Sequence, residues 1–306
     1  MGCGKRHLFA CVGGAYELGA LRDRPLRWAA ASASNDKTVR VWGAASDVCL
    51  RVLEGHTDGV RSVTALGDGR LASASGNKTV RVWDAASGAC LRGLEGHMGG
   101  LCSVAALGDG RLASASREKT VRVWDAASGY CLRVLKGHTS GVCSVAALGD
   151  GCLASAARDK TMRVWDALSG NCLCVLRGHT LLLSGTALVD GRLASTSGDG
   201  TLRMWDPATG TCLETVLFDS PPLFRGNRVP QSTCLYIFAG RHDQAIFSLG
   251  RHTRVPRLGC DSNALLTLPD GRRIAVSGRV SGQVHFLELV EPLPAAANHL
   301  KVLFDK

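Results

Sequence analysis

The chain has 306 residues, including 37 glycines, with 5% aromatics and a formal charge of +10. That length can bury a sizeable core, and all-β repeat folds of this size run as one unit. No apolar run approaches the roughly 18–20 residues that a membrane-spanning helix needs, so no membrane partner is expected, while the basic charge admits an acidic partner or nucleic acid without choosing between them.

Residues 1–27 fit no repeat and form an atypical N-terminal segment. Lys5 and Arg6 precede a short apolar stretch, Leu8 to Val12, which Glu17 and Arg22 soon follow. Leu8-Phe9-Ala10-Cys11 resembles a lipoprotein cleavage box, but the apolar segment is too short for a secretory signal. Met1-Gly2-Cys3 opens like a myristoylation site, yet Arg6 stands where Ser or Thr is required. No export signal is expected. The 13 cysteines are then expected to be reduced thiols of an intracellular protein, cytoplasmic or nuclear.

After Trp28 a long periodicity begins. Tryptophan recurs at 42, 83, 124, 165 and 205, at intervals of 41, 41, 41 and 40 residues. Residues 78–88 read KTVRVWDAASG, and 119–129 read the same. Gly-His pairs at 55–56, 96–97, 137–138 and 178–179 keep the same step. Within one unit, Val60 to Leu66 reads as a strand, and Gly67-Asp68-Gly69 as a hairpin turn. Arg70 to Ser75 is a second strand, and Gly76-Asn77-Lys78 a second turn. Thr79 to Trp83 alternates with period two as a third strand, and Cys90 to Leu94 makes a fourth. Two weaker units follow. Gly240 to Leu249 fits a turn and third strand, with Asp243 in the turn and Leu249 where Trp is expected. Asp270-Gly271 is a further hairpin turn, and Gln283 to Leu287 a last third strand.

A period of 40–45 residues marked by Gly-His and Trp-Asp resembles the WD-repeat family, over residues 28 to 289 here. The resemblance implies an all-β, seven-bladed β-propeller of four-stranded antiparallel blades over residues 28–306, with blades one, six and seven degenerate. It also implies ring closure by a terminal strand, for which Leu8 to Val12 and Leu300 to Phe304 are candidates. Open edges would invite aggregation.

His138, Ser155 and Asp159 resemble a hydrolase triad by composition. The same set recurs in register, whereas an enzyme needs one site. The family implies a structural network instead: the turn acid bonds His, His bonds a strand Ser, and Ser meets the Trp N–H. The sets are His56, Ser73, Asn77 and Trp83; His97, Ser114, Glu118 and Trp124; His138, Ser155, Asp159 and Trp165; and His179, Ser195, Asp199 and Trp205. The first unit has Ser32, Asp36 and Trp42 but no matching His. Asn77 keeps an oxygen acceptor without the charge, so the fourth and fifth units are expected to be firmest. No catalysis is expected.

Cys49, Cys90, Cys131, Cys172 and Cys212 share one repeat position, and Cys102 and Cys143 share another. Equivalent positions point to packing by a small buried hydrophobe. Cys172-x-Cys174 lacks a second pair at zinc spacing. Asn77-Lys78-Thr79 is a formal glycosylation sequon on the network turn. No metal and no cofactor are expected.

The family implies that the Gly-His loops and the second-to-third-strand turns share the face on which partners most often dock. That places Lys37, Lys78, Lys119 and Lys160 there, one per blade, with Arg117 and Arg158. Met98 and Leu181 mark departures among near-identical repeats, and Phe218 to Pro230 is insertion-like. The expected function is a non-enzymatic scaffold, a monomeric propeller within a complex, binding a protein or peptide that is acidic or phosphorylated. Two alternatives are a sensor propeller derived from a multidomain signalling ATPase, suggested by Gly282 to Leu289, and a nucleic-acid-associated propeller. Nucleic acid is disfavoured because few aromatics are available for base stacking. The Trp-Asp-x-Arg motif of cullin-ligase adaptors is absent, since Ala-Ala, Ala-Leu or Pro-Ala follows Trp-Asp.

Overall fold

Short runs of alternating small and β-branched residues, punctuated by Gly and Asp, can form only short strands with tight turns. The computed structural model describes residues 28–43, 48–180, 183–187, 191–197, 199 and 201–217, and beyond them six strands. Every regular element among the described residues is a β-strand.

The strands form seven antiparallel sheets in chain order. The first holds β1 (Trp28–Ala33), β2 (Val39–Gly43) and β3 (Cys49–Leu53). The second holds β4 (Val60–Ala65), β5 (Arg70–Ser75), β6 (Val80–Asp84) and β7 (Cys90–Leu94). The third holds β8 (Leu101–Ala106), β9 (Arg111–Ser116), β10 (Val121–Asp125) and β11 (Cys131–Leu135). The fourth holds β12 (Val142–Ala147), β13 (Cys152–Ala157), β14 (Thr161–Asp166) and β15 (Cys172–Arg177). The fifth holds β16 (Leu183–Ala187), β17 (Leu193–Ser197), β18 (Thr201–Trp205) and β19 (Cys212–Leu217). Three-stranded sheets follow: β20 (Leu235–Ala239), β21 (Gln244–Ser248) and β22 (Arg251–Val255), then β23 (Ser262–Thr267), β24 (Arg273–Gly278) and β25 (Val284–Glu288). The turn residues Asp243 and Asp270, the closing-strand candidates and the stretch 218–230 lie outside the described residues.

The core lies between sheets. Strand alternation gives a sheet two faces, and in the second, third and fourth sheets both are covered. Val63, Leu71 and Trp83 of the second sheet pack on Ala31, Val39, Val41 and Leu53 of the first. Its Ala72, Ala74, Val80 and Val82 pack on Leu101, Val104, Leu112 and Trp124 of the third. The pattern repeats between the third and fourth sheets around Trp165, and between the fourth and fifth around Trp205. Alanines and serines on β5, β9, β13 and β17 let the faces close, and the tryptophan ring fills the remaining depth.

Polar contacts tie the first strands of successive sheets side by side. The Val104 N–H donates to the Ser62 hydroxyl at 3.2 Å, and the Val145 N–H to the Ser103 hydroxyl at 3.3 Å. At the periphery Arg92 Nε donates to the Ala127 carbonyl at 2.6 Å. A register shift recurs just before the tryptophan in the third strand of all five sheets that carry one. Such a bulge bends the strand and re-aims a side chain.

Trp165 is only 1% exposed, so Trp165→Ala should lower the unfolding free energy by about 3–5 kcal/mol. Urea denaturation measures this; a loss below about 1 kcal/mol, ordinary for a surface change, would contradict the packing described.

Candidate functional site

In the second to fifth sheets the serine that ends the network sits mid-strand on the second strand, between the indole N–H of the tryptophan and a ring nitrogen of the histidine. In the fourth sheet Trp165 Nε1–H donates to Ser155 Oγ at 2.7 Å. Ser155 Oγ lies 2.8 Å from His138 Nε2, and His138 Nδ1 lies 2.8 Å from Asp159 Oδ2. The order of donors follows from chemistry. Indole N–H can only donate, so the serine oxygen accepts there. The carboxylate can only accept, so Nδ1 carries a proton; burial holds the imidazole neutral, which leaves Nε2 bare to accept the serine proton. The fifth sheet repeats this with Trp205, Ser195, His179 and Asp199 at 2.7, 2.7 and 3.2 Å. The third repeats it with Trp124, Ser114, His97 and Glu118 at 2.8, 2.8 and 2.5 Å. The longer Glu118 side chain therefore completes the chain of contacts, and the third unit is as fully bonded as the fourth and fifth, contrary to the expectation that it is weaker.

The second sheet differs. Trp83 Nε1–H donates to Ser73 Oγ at 2.7 Å, and Ser73 meets His56 Nε2 at 2.7 Å. Asn77, expected to act as the acceptor for His56, spends its amide elsewhere. Its Oδ1 accepts from the Thr79 N–H and hydroxyl at 3.2 and 2.8 Å, and its Nδ2 donates to Thr57 at 3.3 Å. His56 Nδ1 is buried without a hydrogen-bond partner. In the first sheet Trp42 donates to Ser32 at 2.9 Å, and Arg40, in the absence of a histidine, pairs with Asp36 at 3.3 Å.

The turn acid also binds the Gly-His loop. Asp159 accepts from the Thr139 N–H at 2.9 Å, Glu118 from the Met98 N–H at 2.6 Å, and Asp199 from the Thr180 N–H at 2.8 Å. This places the loop before the first strand and the turn between the second and third on the same end of each of these sheets. A threonine two residues after the acid fixes the carboxylate: Thr120, Thr161 and Thr201 donate to it at 2.7, 2.7 and 2.6 Å. Arg81, Arg122 and Arg163 lie over the neighbouring indoles at 5.8, 5.9 and 5.8 Å. Gly137, at φ +152°, leaves room for that stack, because a Cβ there would meet Arg163 Nη1 at 2.8 Å. These threonines and arginines went unread in the sequence, although each recurs at a fixed offset from the acid or the tryptophan.

Burial pushes the His97, His138 and His179 pKa values down, outweighing the pull of the paired carboxylates. His56, with no such partner, goes from 6.5 to about 4 through burial and then the Arg81 charge; Asn77 opposes this only slightly. Burial alone would raise Glu118, but hydrogen bonds from Thr120, His97 and the Met98 N–H outweigh it and take the carboxyl from 4.5 to about 2. Asp159 and Asp199 are lowered in the same way, each led by its threonine against burial. The geometry of the third, fourth and fifth sheets satisfies buried polar groups and joins loop to turn.

The lysines expected on the docking face all lie exposed at the turn, each with left-handed backbone: Lys37 at φ 75°, Lys78 at 72°, Lys119 at 75° and Lys160 at 70°. That conformation costs an L-residue roughly 1–2 kcal/mol. Arg117 and Arg158 are exposed beside them. None of these six cations makes an ion pair among the described residues. Met98 is 81% exposed, and Leu181 lies outside the described residues. The cysteines correct an expectation. Cys90, Cys131, Cys172 and Cys212 are exposed and Cys49 half-buried; they open the outermost strand of the first five sheets, and in the first four a leucine later in that strand carries its buried contact. Among the described residues no three His, Cys, Asp or Glu side chains group as metal ligands, and no helix is long and apolar enough to cross a membrane.

Stacked four-stranded sheets, each bound by a Trp–Ser–His chain of contacts that an acid completes in the third to fifth, define a propeller-type repeat protein. The family model described as WD domain, G-beta repeat matches residues 47–84, 88–125, 129–166 and 170–206, and the chain belongs to the WD-repeat family. Single-repeat similarity reaches Nuclear distribution protein PAC1 of Coccidioides posadasii, 48% identical over 40 residues, or 13% of this chain and 8% of that protein. The counterpart from Arthroderma benhamiae is 52% identical over 40 residues, 13% of this chain and 9% of that protein. The chain thus covers less than a tenth of the length of these curated relatives.

Two predictions follow from the network. Asn77→Asp should give His56 Nδ1 a charged acceptor and stabilise the protein by about 1–2 kcal/mol, whereas Asp159→Asn should cost about 1.5–3 kcal/mol; urea titration of both variants measures these, and equal effects at the two sites would contradict the assignment. The pH dependence has a definite sign. Folded histidines with lowered pKa values resist protons that the unfolded chain accepts, so stability is full above about pH 6.5 and declines as pH falls, down to about 4 for His56. Glu118 adds a second loss as pH falls from about 4.5 toward about 2. The urea midpoint should therefore be flat above pH 7 and drop between pH 6.5 and 4.5; a flat profile through pH 5 would contradict buried neutral histidines.

Proposed function

We propose that this protein is a non-enzymatic interaction scaffold that docks an acidic or phosphorylated segment of a partner protein on the end of the sheets where the Gly-His loops meet the second-to-third-strand turns. Lys37, Lys78, Lys119, Lys160, Arg117 and Arg158 form the cationic surface, and Met98 adds an apolar contact. Leu181 is assigned to the same surface from sequence. The scaffold reading rests on membership of a family built largely for protein binding. The observation that carries the finer reading is the division of charge within each turn. Glu118, Asp159 and Asp199 accept hydrogen bonds from histidine, threonine and loop N–H groups, while the lysine next in sequence is exposed with left-handed backbone at the first two. The second turn has neutral Asn77 in place of the acid. Solvent therefore meets the cations first, and phosphate or carboxylate groups suit them.

The larger architecture belongs to the same reading. Seven sheets in chain order are taken as seven blades over residues 28–306, closed by a strand from one terminus. The protein acts as a monomer within a complex, in the cytoplasm or nucleus, where free thiols stay reduced.

The test uses a synthetic peptide carrying phosphoserine and glutamate, its alanine counterpart, and duplex DNA as probes. The wild type should bind the acidic peptide, and the triple charge reversal of Lys78, Lys119 and Lys160 to Glu should weaken it by about tenfold or more at low salt. Unchanged affinity would refute the basic face, and tighter binding of DNA than of peptide would replace the protein partner with nucleic acid.

A further inference from the structure

The first residue of the turn between second and third strands breaks the repeat: it is Asn35, Gly76, Arg117 and Arg158 in the first four sheets. In the first three of these it packs against the glycine that precedes the first strand of the next sheet. A Cβ on Gly59 would lie 3.2 Å from Asn35 Cα, one on Gly100 3.5 Å from Gly76 Cα, and one on Gly141 3.2 Å from Arg117 Cα. The Arg158 N–H donates to the Gly141 carbonyl at 3.0 Å. Gly141 therefore stands between the backbones of Arg117 and Arg158, and among the described residues this is the one inter-sheet step flanked by two arginines. Local acids are not free to neutralise them. Glu118 accepts from His97, Thr120 and the Met98 N–H, and Asp159 from His138, Thr161 and the Thr139 N–H. In the second repeat the Asp58 carboxylate fills this spot, since a Cβ on Gly76 would collide with it; the third and fourth repeats have Gly99 and Ser140 in place of Asp58. Both arginines are exposed, and neither makes an ion pair among the described residues. The Cys143 thiol donates to the same Gly141 carbonyl at 3.7 Å. Burial and then Cys102 push its pKa up, and Arg158 and Arg117 oppose that rise, in keeping with both charges lying beside this glycine.

We propose that Arg117 and Arg158 form a two-guanidinium clamp for a single phosphate monoester, a phosphoserine side chain of the docked segment, at the step between the third and fourth sheets. The clamp rests on the reading of this end as a basic docking surface and adds a choice of ligand to it. A carboxylate has two oxygens and one charge, and one arginine fork satisfies it. A phosphate monoester carries nearly two charges and three terminal oxygens, so it can occupy two forks at once. The lysines Lys78, Lys119 and Lys160 are spaced one per sheet and act as separate point charges, which attract either anion. Selection of phosphate over carboxylate therefore belongs to the arginine pair, and the lysines supply the general attraction.

The test compares two fluorescent peptides by anisotropy on the full chain. Both carry the same flanking glutamates and alanines, and they differ at one central position, phosphoserine or glutamate. The wild type should bind the phosphoserine peptide about tenfold more tightly. Arg117→Lys and Arg158→Lys should each remove most of that ratio, because lysine keeps the charge and loses the fork. Lys78→Ala should weaken both peptides alike. Both arginines are exposed at the turn, so the variants should fold, and an unchanged urea midpoint checks that. Equal affinity for the two peptides, or a phosphate preference that survives both arginine variants or falls as far with Lys78→Ala, would overturn the clamp while leaving the basic surface standing. Failure of both peptides to bind would overturn the basic surface and the clamp with it.

Discussion

One hydroxyl in each of the first five sheets carries the architecture. Ser155 accepts the Trp165 indole N–H and faces the imidazole of His138, so three buried polar groups are satisfied around a single oxygen. Leaving any of them unpaired inside a protein costs free energy comparable to a lost hydrogen bond. The direction of the chain is set at its other end: the Asp159 carboxylate can only accept, so Nδ1–H points at it, and burial keeps the imidazole neutral with Nε2 open to the serine proton. Asp159 also captures the Thr139 N–H of the incoming loop. Loop, turn and inter-sheet core are thus tied together by one set of contacts, and the tryptophan that starts it also fills the gap between sheets.

The arrangement separates stability from recognition. The acid of each bonded turn is spent on the network, and the adjacent lysine is placed outward by its left-handed backbone. Near-identical repeats can then share one framework while isolated positions vary: Arg117 and Arg158 at the turn, Met98 in the loop, Cys102 and Cys143 on the inner strands. Chemistry particular to this chain is found at those departures, because the repeated positions are already occupied with holding the sheets together.

The period, the four strands of each unit and the inward tryptophans were legible in the sequence because spacing reports repeat position directly. Burial was less legible. Cys90 and Cys131 share a repeat position, yet that position is the exposed start of an outer strand, so recurrence meant equivalence and not packing. Side-chain reach was also hidden: Glu118 was read as a defect although its extra methylene lets it meet His97, and Asn77 was read as a substitute acceptor although its oxygen is taken by Thr79. The basic surface was read from the family's geometry and the spacing of Lys78, Lys119 and Lys160, but nothing in their residue type foretold a left-handed turn more usual for Gly or Asn.

The central claim is that His97, His138 and His179 are neutral links in a directional structural chain. Nitrogen-15 NMR of the imidazole rings, recorded on the folded protein as pH is lowered from 7.5, tests it most directly. The account predicts the neutral Nδ1–H tautomer for all three at pH 7, persisting below the pH at which a free histidine protonates. Imidazolium signals at neutral pH, or the Nε2–H tautomer, would contradict it, because Ser114, Ser155 and Ser195 could not then donate to these rings.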